Sequence, residues 1–415
     1  MAHRALRGGR CMGTTTLTDL FQRPPYRDPL NPGGPLLPRS GWSRAPMHRW
    51  TFQHIREMTP TAQVWRGPGP VMPLRENLQE FGGVTFSCDG RDLSFDQFLA
   101  DNATDGMLVL HHGAIVYERY FNDMKPHSQH LSMSMAKSMV GMVAGILTDR
   151  GVLDPKAPVT HYLPELARTA YAGATVQHVL DMTTGVVFDE SYTTPGSHMV
   201  KLGYACGWRV NDQPDWPRTM WELILTLTEQ DRPHGSLFQY RSIETDVLGF
   251  ILERATATSL SELVSRELWA PIGAQEDGYF TVDHGGFALA DGGFCASLRD
   301  YGRFAQMIIN GGRANDRQVI PKAWIDETRN NGNTELFQGF FRETLPEGAY
   351  HNKWWIEDPK GRAMLARGIF GQLIYIDPES EFAFVKLSTW PDVTSVPRAR
   401  EAVAAAHAIR DALTR

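Results

Sequence analysis

Ser134-Met135-Ala136-Lys137 is the stretch of this chain best suited to covalent chemistry. Residues three apart share one face of a helix, so a Lys137 amine reaches a Ser134 hydroxyl. A serine hydroxyl is a weak nucleophile until a base removes its proton. A lysine held neutral by burial and nearby positive charge is such a base. The next residues, Met139 to Leu147, are apolar on nearly every face and predict a buried central helix. A serine at the N-terminus of that helix faces free N–H groups and the positive end of the helix dipole, which favour negative charge. The same tetrad also fits an N-cap serine followed by a solvated lysine, so the rest of the chain has to decide.

Two further elements follow in order. Gln239-Tyr240-Arg241-Ser242 precedes a helical stretch beginning near Thr245. A tyrosine there can sit over a serine–lysine pair, and a neighbouring cation is expected to lower its phenol pKa and let it relay a proton. Ala366-Arg367-Gly368-Ile369-Phe370-Gly371-Gln372 opens a strand. Its glycine permits close approach of a ligand, and a backbone N–H there, paired with that of Ser134, makes an oxyanion hole.

The elements that must position these residues are legible in the surrounding pattern. Gly106–Leu110 and Ala114–Tyr120 read as strands joined at His111-His112-Gly113. Thr175 to Met182 reads as a helix capped by Thr175, and Trp221–Thr228, Thr245–Thr256, Ser259–Leu268 and Asp300–Asn310 are helical by period. Residues 186–218 are rich in glycine, proline and aromatics without clear period, as in a lid or binding loop. Gln372–Asp377 and Phe382–Leu387 form a late hairpin, and Arg398–Leu413 an amphipathic helix. Strands at both ends and helices between them predict an α/β sheet domain with a helical insertion. The expected division is an N-terminal extension over 1–65, partly ordered, and a catalytic domain over 66–415. Within the latter, 66–130 and 280–415 supply the sheet and 131–279 the helical part.

Composition narrows the class. The 415 residues are 42% hydrophobic and 21% charged, with a net charge of −6, which argues against nucleic acid as a partner. No stretch reaches the roughly 20 apolar residues of a membrane span, and the Arg-rich start lacks the apolar core of an export signal. The first fifty residues carry eight arginines against two acidic residues, a basic arm or a contacting extension. Cys11, Cys88, Cys206 and Cys295 are scattered and form no metal-type spacing, so they read as free thiols of a reducing, cytoplasmic compartment. There is no Gly-x-Ser-x-Gly elbow, no His-Glu-x-x-His and no Gly-rich phosphate loop. Neither a metal nor an organic cofactor is expected. Trp42 and Trp50, taken as exposed aromatics, suggest a homodimer contact.

The three elements, in this order, resemble the serine β-lactamase and penicillin-binding-protein superfamily over about residue 70 to the C-terminus. Within it the chain is most similar to the carboxylesterase and 6-aminohexanoate-dimer hydrolase branch. Phe188–Tyr192, Phe238–Ser242, Thr245–Leu248, Phe287–Gly293, Lys353–Trp355, Gly368–Gln372 and Val385–Pro391 carry that match. The resemblance implies a β-lactamase-like fold, with an antiparallel five-stranded sheet, flanking helices and an inserted, mostly helical domain. It implies a serine hydrolase acting on a small-molecule ester or linear amide through an acyl-enzyme on Ser134. Lys137, neutral at rest, and Tyr240 are then the catalytic partners, the N–H groups of Ser134 and Ile369 hold the oxyanion, and Ser242 supports Lys137 or Tyr240. It also implies that Tyr192 closes over the scissile bond, that Asp291 meets a substrate amine and that Trp355 forms an apolar wall. Antibiotic-hydrolysing members carry a cation two positions before the glycine. Here Ala366 fills that slot, and strand alternation turns Arg367 the other way. A β-lactam carboxylate then lacks its partner, which favours an ester or linear amide over the alternatives of a β-lactamase or D-amino-acid peptidase. A catalytically silent binding relative is the other alternative, and the intact Ser134, Lys137 and Tyr240 speak against it.

Overall fold

The computed structural model describes residues 41–210, 212–358 and 363–414, and the backbone of two-residue strands at 26–27 and 36–37. Cys11 and most of the Arg-rich start lie outside the described residues. The sheet strands are β1 (Arg75–Glu76), β2 (Thr104–His111), β3 (Ala114–Tyr120), β4 (Ala349–His351), β5 (Trp354–Ile356), β6 (Met364–Gly368), β7 (Gln372–Asp377) and β8 (Phe382–Ser388). Their spatial order is β4-β5-β6-β7-β8-β2-β3-β1. The five strands of five residues or more, β6-β7-β8-β2-β3, are the antiparallel sheet that the resemblance implied. The short β4–β5 hairpin widens one edge, and β1, parallel to β3, closes the other, which makes eight strands in all. The β2–β3 turn has φ 49° at His112 and 73° at Gly113. Positive φ at both central residues matches the right-handed twist of the hairpin.

Alternation along the strands builds two cores. Leu108, Leu110, Ile374, Ile376 and Val385 face the nucleophile-bearing helix α1 (Met135–Asp149) and a second helix, α3 (Leu298–Ile309). Met107, Val109, Tyr375 and Phe384 face Phe95, Phe98 and the C-terminal helix α4 (Val396–Leu413). Both faces are covered, which is why β2, β7 and β8 read as nearly unbroken apolar runs. Helix α1 is buried at every residue from Met135 to Leu147. Among the described residues no strand falls between Leu131 and Gly278, and this span includes α2 (Ile243–Thr256). The helix at Val176–Leu180 carries the expected Thr175 cap: the Thr175 hydroxyl accepts from the His178 N–H and His178 answers on the Thr175 N–H.

A four-stranded sheet of Thr61–Val64, Gly278–Thr281, Phe294–Ser297 and Gln129–Leu131 leads directly into Ser134. Trp42, Phe52, Ile55 and Met58 pack against Leu131, Met133 and Phe370 behind it. Residues 41–64 therefore form part of the wall that backs the nucleophile. Trp42 is not exposed as expected. Its ring lies edge-on to Trp208 at 5.1 Å and its indole N–H donates to the Trp208 carbonyl at 2.9 Å. Trp50 is half-buried and stacks on His54 at 4.2 Å. The pull of apolar surface toward the core outweighs what the basic, Pro-rich surroundings of Trp42 suggested.

Glycines hold α1 against the sheet edge. A Cβ at Gly141 would lie 2.4 Å from the Asn352 carbonyl oxygen, in the β4–β5 turn where Asn352 and Lys353 have φ of 48° and 69°. Gly141→Ala is expected to destabilise the protein by about 1–3 kcal/mol, although alanine is the better helix former by roughly 1 kcal/mol. Urea unfolding of the variant checks this, and an unchanged or raised midpoint would show that the hairpin yields freely.

Candidate active site

Ser134 stands at the head of α1, and the residue before it, Met133, is held at φ 48°. A non-glycine residue in that region is strained and persists only where its surroundings impose it. The same occurs at the third element, where Phe370, after Ile369, has φ 62°. Neither the Ser134 N–H nor the Ile369 N–H donates to a backbone carbonyl in the loops and turns of the described chain. Ser134, Tyr240, Tyr192, Trp355 and Ile369 line one cleft with a cavity of about 300 Å³.

The Lys137 ammonium donates to Ser134 Oγ at 2.8 Å and to the Asp291 carbonyl at 2.6 Å. Its Nζ lies 3.8 Å from Asp291 Oδ2 and 5.3 Å from the centre of the Tyr240 ring. Trp355 stacks on Tyr240, ring centres 5.3 Å apart at 22°. The three residues singled out by type and spacing therefore meet, although about a hundred positions separate Tyr240 from the other two.

The β-lactamase family profile matches residues 92–408. The chain belongs to the β-lactamase family. It is 36% identical over 361 residues to the 6-aminohexanoate-dimer hydrolase of Paenarthrobacter ureafaciens, covering 87% of this chain and 89% of that protein. Esterase EstB of Burkholderia gladioli is 29% identical over 228 residues, 50% of this chain and 56% of its own. A solved structure of a Bacillus anthracis protein, provisionally named a 6-aminohexanoate-dimer hydrolase, superposes with a TM-score of 0.82 at 28% identity, covering 90% of this chain and 97% of that one.

Within this β-lactamase-family site, several residues stand elsewhere than expected. Asp291 is buried behind Lys137 and does not line the cleft. Its carboxylate faces Lys137, and its N–H donates to Asp246 Oδ1 at 3.2 Å. Ser242 does not hold Lys137 or Tyr240 through its hydroxyl. That hydroxyl donates to Glu190 Oε1 at 2.6 Å and its N–H to Oε2 at 2.9 Å. Arg367 lines the cleft, while Ala366 lies in the core under α1. The alternation is as expected, but the face that looks into the site is Arg367's, not that of Ala366.

Two residues were missed from the sequence, Glu190 and Asp246, and Arg367 was weighed there but turned away from the cleft. Glu190 lines the cleft and accepts from the Tyr192 hydroxyl at 3.1 Å as well as from Ser242. Its one signal was an acid two positions before Tyr192 in the irregular segment. Asp246 sits four residues after Ser242 at the head of α2, where it and Glu244 are two buried acids in one first turn.

The electrostatics also revise two expectations. Burial alone would drive Lys137 toward its neutral amine, but Tyr240, Asp291, Glu190 and Asp246 overcome it and hold the pKa above the ordinary value. The shift is therefore toward the ammonium, opposite to the neutral amine expected. The Tyr240 phenol is raised rather than lowered, because burial and Glu190 outweigh the pull of Lys137. Burial pushes Asp291 up, and burial together with the Asp291 charge pushes Asp246 well up. Burial pushes Glu190 to about 7, only partly offset by Lys137 and the Ser242 donors.

A carboxyl with a raised folded pKa binds its proton more tightly when folded. Its contribution to stability is complete below about pH 4.5 and is lost as pH rises through about 7. Glu190→Gln removes that dependence. Relative to wild type, the variant is expected to gain roughly 3 kcal/mol, a few degrees in Tm, on going from pH 4.5 to pH 8. Scanning calorimetry of both proteins at the two pH values checks it. A difference in Tm that does not change with pH would mean that Glu190 carries no such penalty.

Proposed function

We propose that this chain is a serine hydrolase that cleaves a carboxylic ester or a linear amide through an acyl-enzyme on Ser134. The observation that carries this reading is the 2.8 Å hydrogen bond from Lys137 to Ser134 Oγ in a cleft shared with Tyr240. Because Lys137 and Tyr240 both favour their protons at rest, the pair first gives up one proton to solvent. Ser134 Oγ then attacks the carbonyl carbon, and its proton passes to the vacated place on the pair. The new oxyanion accepts from the N–H groups of Ser134 and Ile369. When the intermediate collapses, the bond to the leaving oxygen or nitrogen breaks and Tyr240 supplies its proton. Water repeats the sequence on the acyl-enzyme and frees Ser134.

The preference for esters and linear amides is supported by the relatives, a 6-aminohexanoate-dimer hydrolase and an esterase. The cleft does not lack a cation, since Arg367 faces it. That arginine is also the observation that keeps a β-lactamase or D-amino-acid peptidase as the second reading. Tyr192, held at Glu190, is suited to close on an amide leaving group, and Trp355 to form the apolar wall.

The deciding experiment is turnover of p-nitrophenyl butyrate, the linear 6-aminohexanoate dimer and a chromogenic cephalosporin by wild type and Ser134→Ala. Wild type is expected to cleave the first or the second faster than the third, and Ser134→Ala to lose about 10⁴-fold or more in kcat. Wild-type turnover in Ser134→Ala would remove the scheme, and a dominant cephalosporinase rate would exchange the first reading for the second. With the best substrate, kcat/KM is expected to rise on the alkaline side of neutrality, because the Lys137–Tyr240 pair must lose a proton before attack. A profile that is flat from pH 7 to 10 would exclude that order of steps.

A further inference from the structure

We propose that this cleft carries an alkyl-chain subsite along α4, so that the substrate is an ester or linear amide with an unbranched alkyl chain on one side of its scissile bond. This inference rests on the hydrolase reading above and names a substrate class for that site. The cavity of about 300 Å³ that holds Ser134 extends to the first two turns of α4. Val396, Ala399, Ala402 and Val403 line it there, and Leu373 of β7 lines it from the sheet. Spacings of three and four put the four helical side chains on one face. The charged residues between them are turned elsewhere. Arg398 pairs with Asp392 at 3.0 Å, and Arg400 donates to the Glu343 carbonyl at 2.6 Å. Glu401 accepts from Arg91 at 2.9 Å and from Asn102 at 2.8 Å. The face that α4 gives the cleft is therefore aliphatic.

Polar side chains in the same lining are engaged within the protein. The Ser395 hydroxyl caps α4 by accepting from the Arg398 N–H at 3.4 Å. Both ends of the Gln372 amide are bonded to the Ser388 backbone, at 2.6 and 3.1 Å. Thr344 Oγ1 accepts from Arg367 Nη1 at 2.9 Å and donates to the Phe341 carbonyl at 3.1 Å. Thr394 stands exposed to solvent. A polar group laid along α4 gives up water for little in return, whereas an alkyl chain gains by leaving water. Val396 and Ala399 are only half-buried, and Phe340 in the same lining is 52% exposed, so apolar surface stands open beside the nucleophile. Covering such surface is worth roughly a 3- to 4-fold gain for each methylene that enters. Ala399 and Ala402 are the small residues that leave room for the chain.

The test uses two ester series. p-Nitrophenyl acetate, butyrate, hexanoate and octanoate lengthen the acyl side, and methyl, butyl, hexyl and octyl acetate lengthen the alcohol side. In the wild type, kcat/KM corrected for intrinsic reactivity is expected to rise roughly 3-fold per methylene along one series, and that series locates the chain. Ala399→Phe plugs the arm and should cut the ratio of the longest to the shortest member roughly 10- to 100-fold. Ala399→Leu, a smaller plug, should cut it less, and it keeps the test open if the phenylalanine variant does not fold. No rise along either series overturns the inference and leaves the hydrolase reading standing. So does a plugged variant that slows every member by one factor, since that is what a general loss of packing would do. An enzyme inert to both series removes the hydrolase reading instead. Titration calorimetry of 1-hexanol into wild type and Ala399→Leu then decides the inference by itself: weaker binding to the variant supports it, and equal binding overturns it.

Discussion

The site depends on one buried charge. Lys137 is enclosed in the middle of the protein, where burial by itself would expel its proton. The Ser134 hydroxyl, the Asp291 carbonyl and the negative field of the surrounding acids keep it there. The consequence spreads outward. To hold one ammonium, the fold buries Asp246, Asp291 and Glu190 within reach of it, and each is itself pushed up by burial. The result is a proton-rich cluster in which the charge of any one member depends on the others. The reacting serine is bonded into that cluster rather than standing beside a lone base.

Such a cluster needs rigid walls, and the packing supplies them. Helix α1 is buried on all sides and approaches the β4–β5 turn so closely that Gly141 has no room for a methyl group. Ser138 donates to the Lys353 carbonyl at 2.8 Å on the same side, which ties the helix to the hairpin that carries Trp355. The strained residues Met133 and Phe370 flank the two N–H groups assigned to the oxyanion. Strain of this kind is sustained by the surrounding contacts, here the Trp42–Phe52–Met58 cluster that backs both loops. The described part of the N-terminal segment thus contributes to the geometry of the nucleophile.

The cleft has two unlike ends around Tyr240. At one, Glu190 gathers Ser242 and Tyr192, so the irregular segment and the head of α2 are linked through a single carboxyl. At the other, Trp355 carries Tyr240 on its ring face and the Arg367 guanidinium within cation–π distance. An acid and a cation thus both stand in the lining of one cleft with Ser134.

Much of this was legible in the residues. Ser134 and Lys137 are neighbours because a helix makes them so, and local period alone determines that. The strands at Ala114–Tyr120 and Gln372–Asp377, the Thr175 cap and the buried character of α1 follow from alternation, turn residues and capping chemistry, all short-range. The order of the three motifs, together with the resemblance they carry, also indicated which distant tyrosine completes the site. What the chain by itself could not decide is charge and facing. The protonation of Lys137 depends on burial and on four groups drawn from separate stretches of the sequence, Tyr240, Asp291, Glu190 and Asp246, which together outweigh burial. Strand alternation determines that Ala366 and Arg367 point apart, but only the packing of α1 against Ala366 determines that Arg367 is the one looking into the cleft. Near-neighbour geometry is local and can be read from spacing. The dielectric surroundings and the inward face of an edge strand arise only when the layers meet.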